Sequence, residues 1–191
     1  MEVIDKNTIR LNKEINELDK FVFGFINILK KYTDYVIISG YVSILFGRAR
    51  STEDIDIFIK KLGKSKLDKL YKDLIKNGYW CLNAEGSDEI YGYLNEGLAV
   101  RFARKNETIP NFEVKFSKDQ LDNEVFDDFI RVILPTGEIK ISSLERHIAF
   151  KKYYLKSDKD IEDAEHIETL FKDKIDKEKT YKYKKQIEER K

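Results

Sequence analysis

The run Asp54-Ile55-Asp56-Ile57-Phe58-Ile59 constrains this chain more than any other six residues. Isoleucine at every second position demands an extended strand with one buried face. The same alternation sends Asp54 and Asp56 together to the opposite face. Two carboxylates held that close repel and raise one another's pKa unless a cation lies between them. Paired oxygens on a rigid strand suit Mg²⁺, which takes one or two carboxylates plus substrate phosphates. Upstream, the β-branched run Val36-Ile37-Ile38 reads as a buried strand ending at the tight turn Ser39-Gly40. Tyr41 to Phe46, closed by Gly47, reads as a short helix. That turn offers a backbone able to approach phosphates and helix N–H donors beyond it. Thirteen residues separate Gly40 from Asp54.

Around this centre the patterning predicts an α+β fold with a mixed sheet over residues 36–141 and flanking helices. Ile15, Leu18, Phe21, Val22, Phe25, Ile26 and Leu29 recur at helical spacing, giving an amphipathic helix over roughly 11–31. Lys64 to Asn77 is helical, with Gly78 as its stop. Glu89 to Leu94 and Leu98 to Arg104 flank Asn95-Glu96-Gly97 as a predicted hairpin. Phe112, Val114 and Phe116 alternate as a strand. Ile130 to Leu134 and Glu138 to Ile141 flank a second turn, Pro135-Thr136-Gly137. Ser142 and Glu145 form a capping-box start to a helix reaching about Leu155, and another helix runs from about Asp158 to Phe171. The sequence divides into a core over 1–141 and a C-terminal helical segment with a basic tail over 142–191. Lys172 to Lys191 carry nine basic and five acidic residues and read as a solvated helix, with Tyr181 and Tyr183 as candidates for RNA contact. The stretch from Asp119 to Asp128 is conversely acidic.

Composition narrows the class. At 41% hydrophobic, 191 residues carry enough apolar material for one core. With 36 basic against 35 acidic side chains, global charge does not argue for a nucleic-acid or membrane partner. A lone Cys81 excludes a disulfide framework and a cysteine zinc site. The longest uncharged run, Tyr35 to Gly47, is shorter than the ~20 residues a membrane helix needs. With no signal-peptide layout at the N-terminus, the expectation is a cytoplasmic protein.

The stretch from Ile38 to Ile57, with Ser39-Gly40 and then Arg50-Ser51-Thr52-Glu53-Asp54-Ile55-Asp56, resembles the nucleotidyltransferase superfamily, the Pol-beta-like fold. Its Arg-x-Thr-x-Asp-x-Asp form is similar to that of small prokaryotic members, including AbiEii-type toxins of toxin-antitoxin systems. Ser39 stands where the first glycine of the turn is usual. The resemblance implies a metal-dependent transferase moving an NMP from an NTP such as ATP to a hydroxyl acceptor, with pyrophosphate leaving. It implies Mg²⁺ or Mn²⁺ on Asp54 and Asp56, and a third carboxylate on a later strand. Glu113, on the polar face of Phe112-Glu113-Val114-Lys115-Phe116, matches it and would complete a catalytic pair of metals about 3.5–4 Å apart. Ser39, Gly40, Arg48, Arg50 and Thr52 would bind the nucleotide. In the tail, Lys151 and then Lys159-Asp160 resemble the AbiEii-type boxes placed near the nucleotide, with Ser157 where an Arg is usual.

Blander readings stand beside these. Lys151 and Lys159 also fit a solvated helix face, Arg101 a surface site, and His147 and His166 surface or capping roles. The competing functions are a catalytically degenerate nucleotide- or RNA-binding module and a toxin-like protein acting on tRNA or a partner. The acceptor can be a small molecule, a tRNA end or a protein hydroxyl, because fold alone does not choose.

Overall fold

The computed structural model describes residues 1–190. Its strands are β1 (Glu2–Asp5), β2 (Thr8–Arg10), β3 (Tyr35–Ile38), β4 (Asp54–Ile59), β5 (Tyr79–Cys81), β6 (Val100–Arg104), β7 (Asn111–Phe116), β8 (Phe129–Leu134) and β9 (Gly137–Ser142). They form one mixed sheet in the order β1-β2-β8-β9-β3-β4-β7-β6-β5. β4 lies between β3, antiparallel, and β7, parallel. As its alternation requires, Ile55, Ile57 and Ile59 are buried while Asp54, Asp56 and Phe58 face the other side, partly exposed.

The helices are α1 (Glu17–Leu29), α2 (Gly40–Leu45), α3 (Lys64–Lys76), α4 (Ser87–Glu96), α5 (Gln120–Asn123), α6 (Leu144–Ala149), α7 (Asp158–Leu170) and α8 (Lys177–Glu189). α1 and α3 cover the isoleucine face. Phe25 and Phe21 of α1 stack on Phe112 of β7, with ring centroids 4.0 and 4.4 Å apart, and Leu67, Leu70 and Leu74 of α3 join the same core. Phe58 and Ile38, on the opposite face, pack with Val36, Val125 and Phe126. That face is the one that carries the aspartates.

Several expectations change. The amphipathic periodicity extends upstream of Glu17, but the helix begins there because Asn16 and Asp19 form a reciprocal capping box, and two strands precede it. The hairpin expected around Asn95-Glu96-Gly97 is the C-terminus of α4. Gly97 adopts φ 75°, and the N–H of Leu98 reaches the carbonyl of Tyr93 at 2.8 Å. A left-handed glycine serves hairpins and helix ends alike, so the sequence signal was ambiguous. β6 pairs with β5, which the pattern reading did not include. Ser142 ends β9; Ser143 caps α6 instead, its side chain accepting from the Arg146 N–H. Glu145 turns away to accept from the Asp176 N–H and pair with Lys179. α6 is short and continues as a π-helical turn, Phe150–Leu155.

The tail is docked rather than solvated. Tyr183 and Ile187 of α8 are buried against Leu121 and Ala149. The basic tail meets the acidic stretch directly. Arg190 pairs with Asp119 and Asp122, Lys179 pairs with Asp128, and the Tyr183 hydroxyl donates to Asp128 at 2.6 Å.

Candidate active site

The carboxylates are placed by strand register. Asp56 pairs with Ile38 on one side and Glu113 on the other, and Glu113 pairs in turn with Arg101 of β6. Asp54 lies two residues back on the same face of β4. Burial pushes the Asp56 carboxyl up to about 6. Lys115 opposes that rise, Asp54 and Glu113 add to it, and a hydrogen bond from the Ser39 hydroxyl opposes it. Glu113 shifts the other way. Burial would raise its pKa, but hydrogen bonds from Arg101 and Lys115 outweigh that and hold it below the usual range. Arg101 Nε donates to Glu113 Oε1 at 3.0 Å, and Lys115 Nζ lies 3.0 Å from Oε2. Among the described residues, no group of three or more His, Cys, Asp or Glu side chains is arranged to hold a metal ion.

The turn after β3 is built on an unusual backbone. Ser39 adopts φ 60°, ψ −139°, a region that a side chain makes costly by about 1–3 kcal/mol. The serine therefore holds a conformation that glycine adopts freely, and in return puts a hydroxyl next to Asp56. Gly40 is favoured for a different reason. A Cβ there would collide with the guanidinium of Arg50.

Three of the expected nucleotide-binding cations, Arg48, Arg50 and Lys151, meet on one carboxylate. Asp163 of α7, fully buried, accepts from Arg48, from Arg50 at 2.8 Å and from Lys151 at 3.0 Å. Arg48 also reaches Glu162, and Lys151 pairs with Asp160 at 2.6 Å. Thr52 donates to the Asp54 carbonyl at 2.8 Å, which braces the entrance to β4. This network ties the α2–β4 connection to α7 and holds Arg48, Arg50 and Asp160 in ion pairs. Lys159 is exposed on α7 and lies apart from the cleft. Ser157 caps α7. His147 is buried rather than on the surface, with Nε2 3.1 Å from the Ser43 hydroxyl, and burial lowers its pKa to about 3.

A cleft of about 270 Å³ opens over the aspartate face. Ser39, Asp56 and Lys115 line its sheet side, and Arg146, Lys151 and Tyr154 its helical side. Two buried polar atoms on its wall, Ser142 Oγ and Arg146 Nη2, have no hydrogen-bond partner. Lys115 and Arg146 were not among the expected site residues. The position of Lys115, two residues after Glu113 and hence on the same strand face, was a signal for the first. Nothing local marks Arg146, which reaches the cleft only because α6 folds back over the sheet.

No protein-family model matches this sequence, and no curated protein matches it significantly. Solved structures match its fold. The chain superposes on ANT(2″)-Ia in complex with adenylyl-2″-tobramycin with a TM-score of 0.56, at 13% identity, over 90% of this chain and 97% of that one. The fold is that of the nucleotidyltransferases. A solution structure of ANT(2″)-Ia, an antibiotic-resistance factor, gives 0.54 at 13% identity over 90% and 91% of the two chains. An antigenic nucleotidyltransferase-like protein from Paracoccidioides brasiliensis gives 0.52 at 18% identity, over 82% and 78%. Within this nucleotidyltransferase fold, no helix is long and apolar enough to cross a membrane among the described residues.

Proposed function

We propose that this chain transfers a nucleoside monophosphate from an NTP to a hydroxyl acceptor, releasing pyrophosphate. The observation that carries the reading is the placement of Asp54 and Asp56 on one face of β4, with Asp56 lining a cleft walled by Lys115, Arg146 and Lys151 in a nucleotidyltransferase fold. Asp54 and Asp56 would hold one Mg²⁺ or Mn²⁺. Burial raises the Asp56 pKa, with Asp54 and Glu113 adding to the rise, so a cation bound there would relieve the cost of its charge. A bound ion supplies Lewis-acid polarisation of the phosphates.

The chain's own groups do the rest. Ser39 and Gly40 bring backbone against the phosphates at the end of β3. Arg146, buried in the cleft wall, brings a guanidinium charge to the side facing the sheet. Tyr154 and Phe150 supply aromatic surface for the base. Arg50 and Lys151 act through Asp163 to fix the turn and the cleft wall. The acceptor brings its hydroxyl to the open side of Asp56. The test is pyrophosphate release from each NTP across a panel of hydroxyl acceptors, with Asp54→Asn as control. Release that requires Asp54 supports the reading, and release unaffected by Asp54→Asn contradicts it.

A second reading rests on Glu113. With both oxygens engaged by cations, it is poorly placed to ligate a metal or accept a proton. That favours a nucleotide-binding module without turnover. Such a module binds NTP with metal and yields no pyrophosphate with any acceptor.

A further inference from the structure

We infer that Lys115 is a built-in cation standing where a second divalent ion would otherwise bridge Asp56 and Glu113, so that the site takes one ion and not two. The inference rests on the reading of Asp54 and Asp56 as metal ligands.

The geometry follows from register. Lys115 lies two residues beyond Glu113 on β7 and shares its face. Because Glu113 is the register partner of Asp56, the lysine side chain reaches the gap between the two carboxylates. Its ammonium lies 3.0 Å from Glu113 Oε2 and 3.8 Å from Asp56 Oδ1. The remaining oxygen of Glu113 is taken by the Arg101 guanidinium from the next strand, through both Nε at 3.0 Å and Nη2 at 2.5 Å. A carboxylate paired on both oxygens has no free direction in which to ligate a metal without giving up a cation.

Charge leads to the same conclusion. Three carboxylates free of partners would leave three negative charges for two divalent ions to neutralise. Here Asp54, Asp56 and Glu113 face Lys115 and Arg101, leaving one formal negative charge. One divalent ion more than offsets it. A second would stand against an ammonium within a few ångströms, at a carboxylate whose side chain is 12% exposed although its cations Lys115 and Arg101 are 34% and 52% exposed. An ammonium supplies fixed positive charge and hydrogen-bond donors. It cannot ligate the acceptor hydroxyl as a metal would, so Lys115 is a positioning and charge-compensating residue.

The test counts ions rather than turnover. Mn²⁺ is titrated into the full chain carrying a bound α,β-methylene NTP, and bound ions are counted by electron paramagnetic resonance. Wild type is expected to hold one ion per chain, lost in Asp54→Asn/Asp56→Asn. Lys115→Met and Lys115→Gln are expected to hold two, with melting curves confirming that each is folded. Two ions in wild type, or a count that stays at one in both folded Lys115 variants, overturns the inference while leaving the aspartate site intact. No Mn²⁺ in wild type, or binding that survives the double aspartate variant, overturns the metal reading itself and the inference with it.

Discussion

Asp56 and Glu113 are register partners on neighbouring parallel strands, yet their carboxyls are pushed in opposite directions. Burial leaves Asp56 at about 6, while Arg101 and Lys115 hold Glu113 down. Two acids one strand apart thus take different tasks. The first is left needing a cation, and the second is already provided with two.

Stability against pH should show two opposed slopes. Asp56, raised by burial, binds its proton more tightly in the folded state, so its contribution is full below about 4 and fades as pH rises through 4 to 6. His147, lowered by burial to about 3, contributes fully above about 6.5 and loses that contribution as pH falls. Between 4 and 6 the two largely offset. Denaturant melts in chelator should show Asp56→Asn losing stability on acidification more steeply than wild type, by roughly one proton, or about 2 kcal/mol across that window. His147→Gln should show the reverse.

Ser39 should reveal the cost of its backbone. Ser39→Gly removes the left-handed penalty and should stabilise the fold by about 1 kcal/mol. Ser39→Ala keeps the strain and loses the hydroxyl contact to Asp56, so it should melt below both wild type and the glycine variant. Equal melting of the alanine and glycine variants would contradict this account.

Asp163 is the hub of the ion network, and removing it leaves Arg48, Arg50 and Lys151 without their shared partner. Asp163→Ala should cost about 3–5 kcal/mol in denaturant melts. Lys159→Ala, on the exposed face of α7, should stay within about 0.5 kcal/mol.

The docked tail should behave as core. Ile187 of α8 is fully buried, so Ile187→Ala should cost about 2–5 kcal/mol. Were the tail merely solvated, that substitution would leave the melting curve unchanged.

The sequence made the centre of the fold legible and left much of its edges obscure. The isoleucine alternation of β4 and the β-branched run of β3 specify buried strands by themselves, and the carboxylates travel with them. The α4 error arose because Gly97 in a left-handed conformation ends helices and turns hairpins equally well. The N-terminal strands are short, β1 is exposed throughout and β2 buries only Thr8 and Ile9, so they carry little hydrophobic signal. For the site, the alternation of β4 placed Asp54 and Asp56 on one face and the turn placed Gly40, while Glu113 was expected only from the family resemblance. The fate of Arg48, Arg50 and Lys151 was not, because each is settled by Asp163, more than a hundred residues away from the two arginines. The place of Arg146 was equally hidden, since only tertiary packing turns α6 toward the sheet.

The most direct test of the account is calorimetric binding of each NTP, with Mg²⁺ or Mn²⁺ and again in chelator, to wild type and to Asp54→Asn and Asp56→Asn. The account predicts metal-dependent binding of at least one NTP, weakened at least about tenfold in either variant, as expected when binding loses about 1.4 kcal/mol or more. Binding that needs neither the metal nor the two aspartates, or no binding of any NTP by wild type, would contradict it.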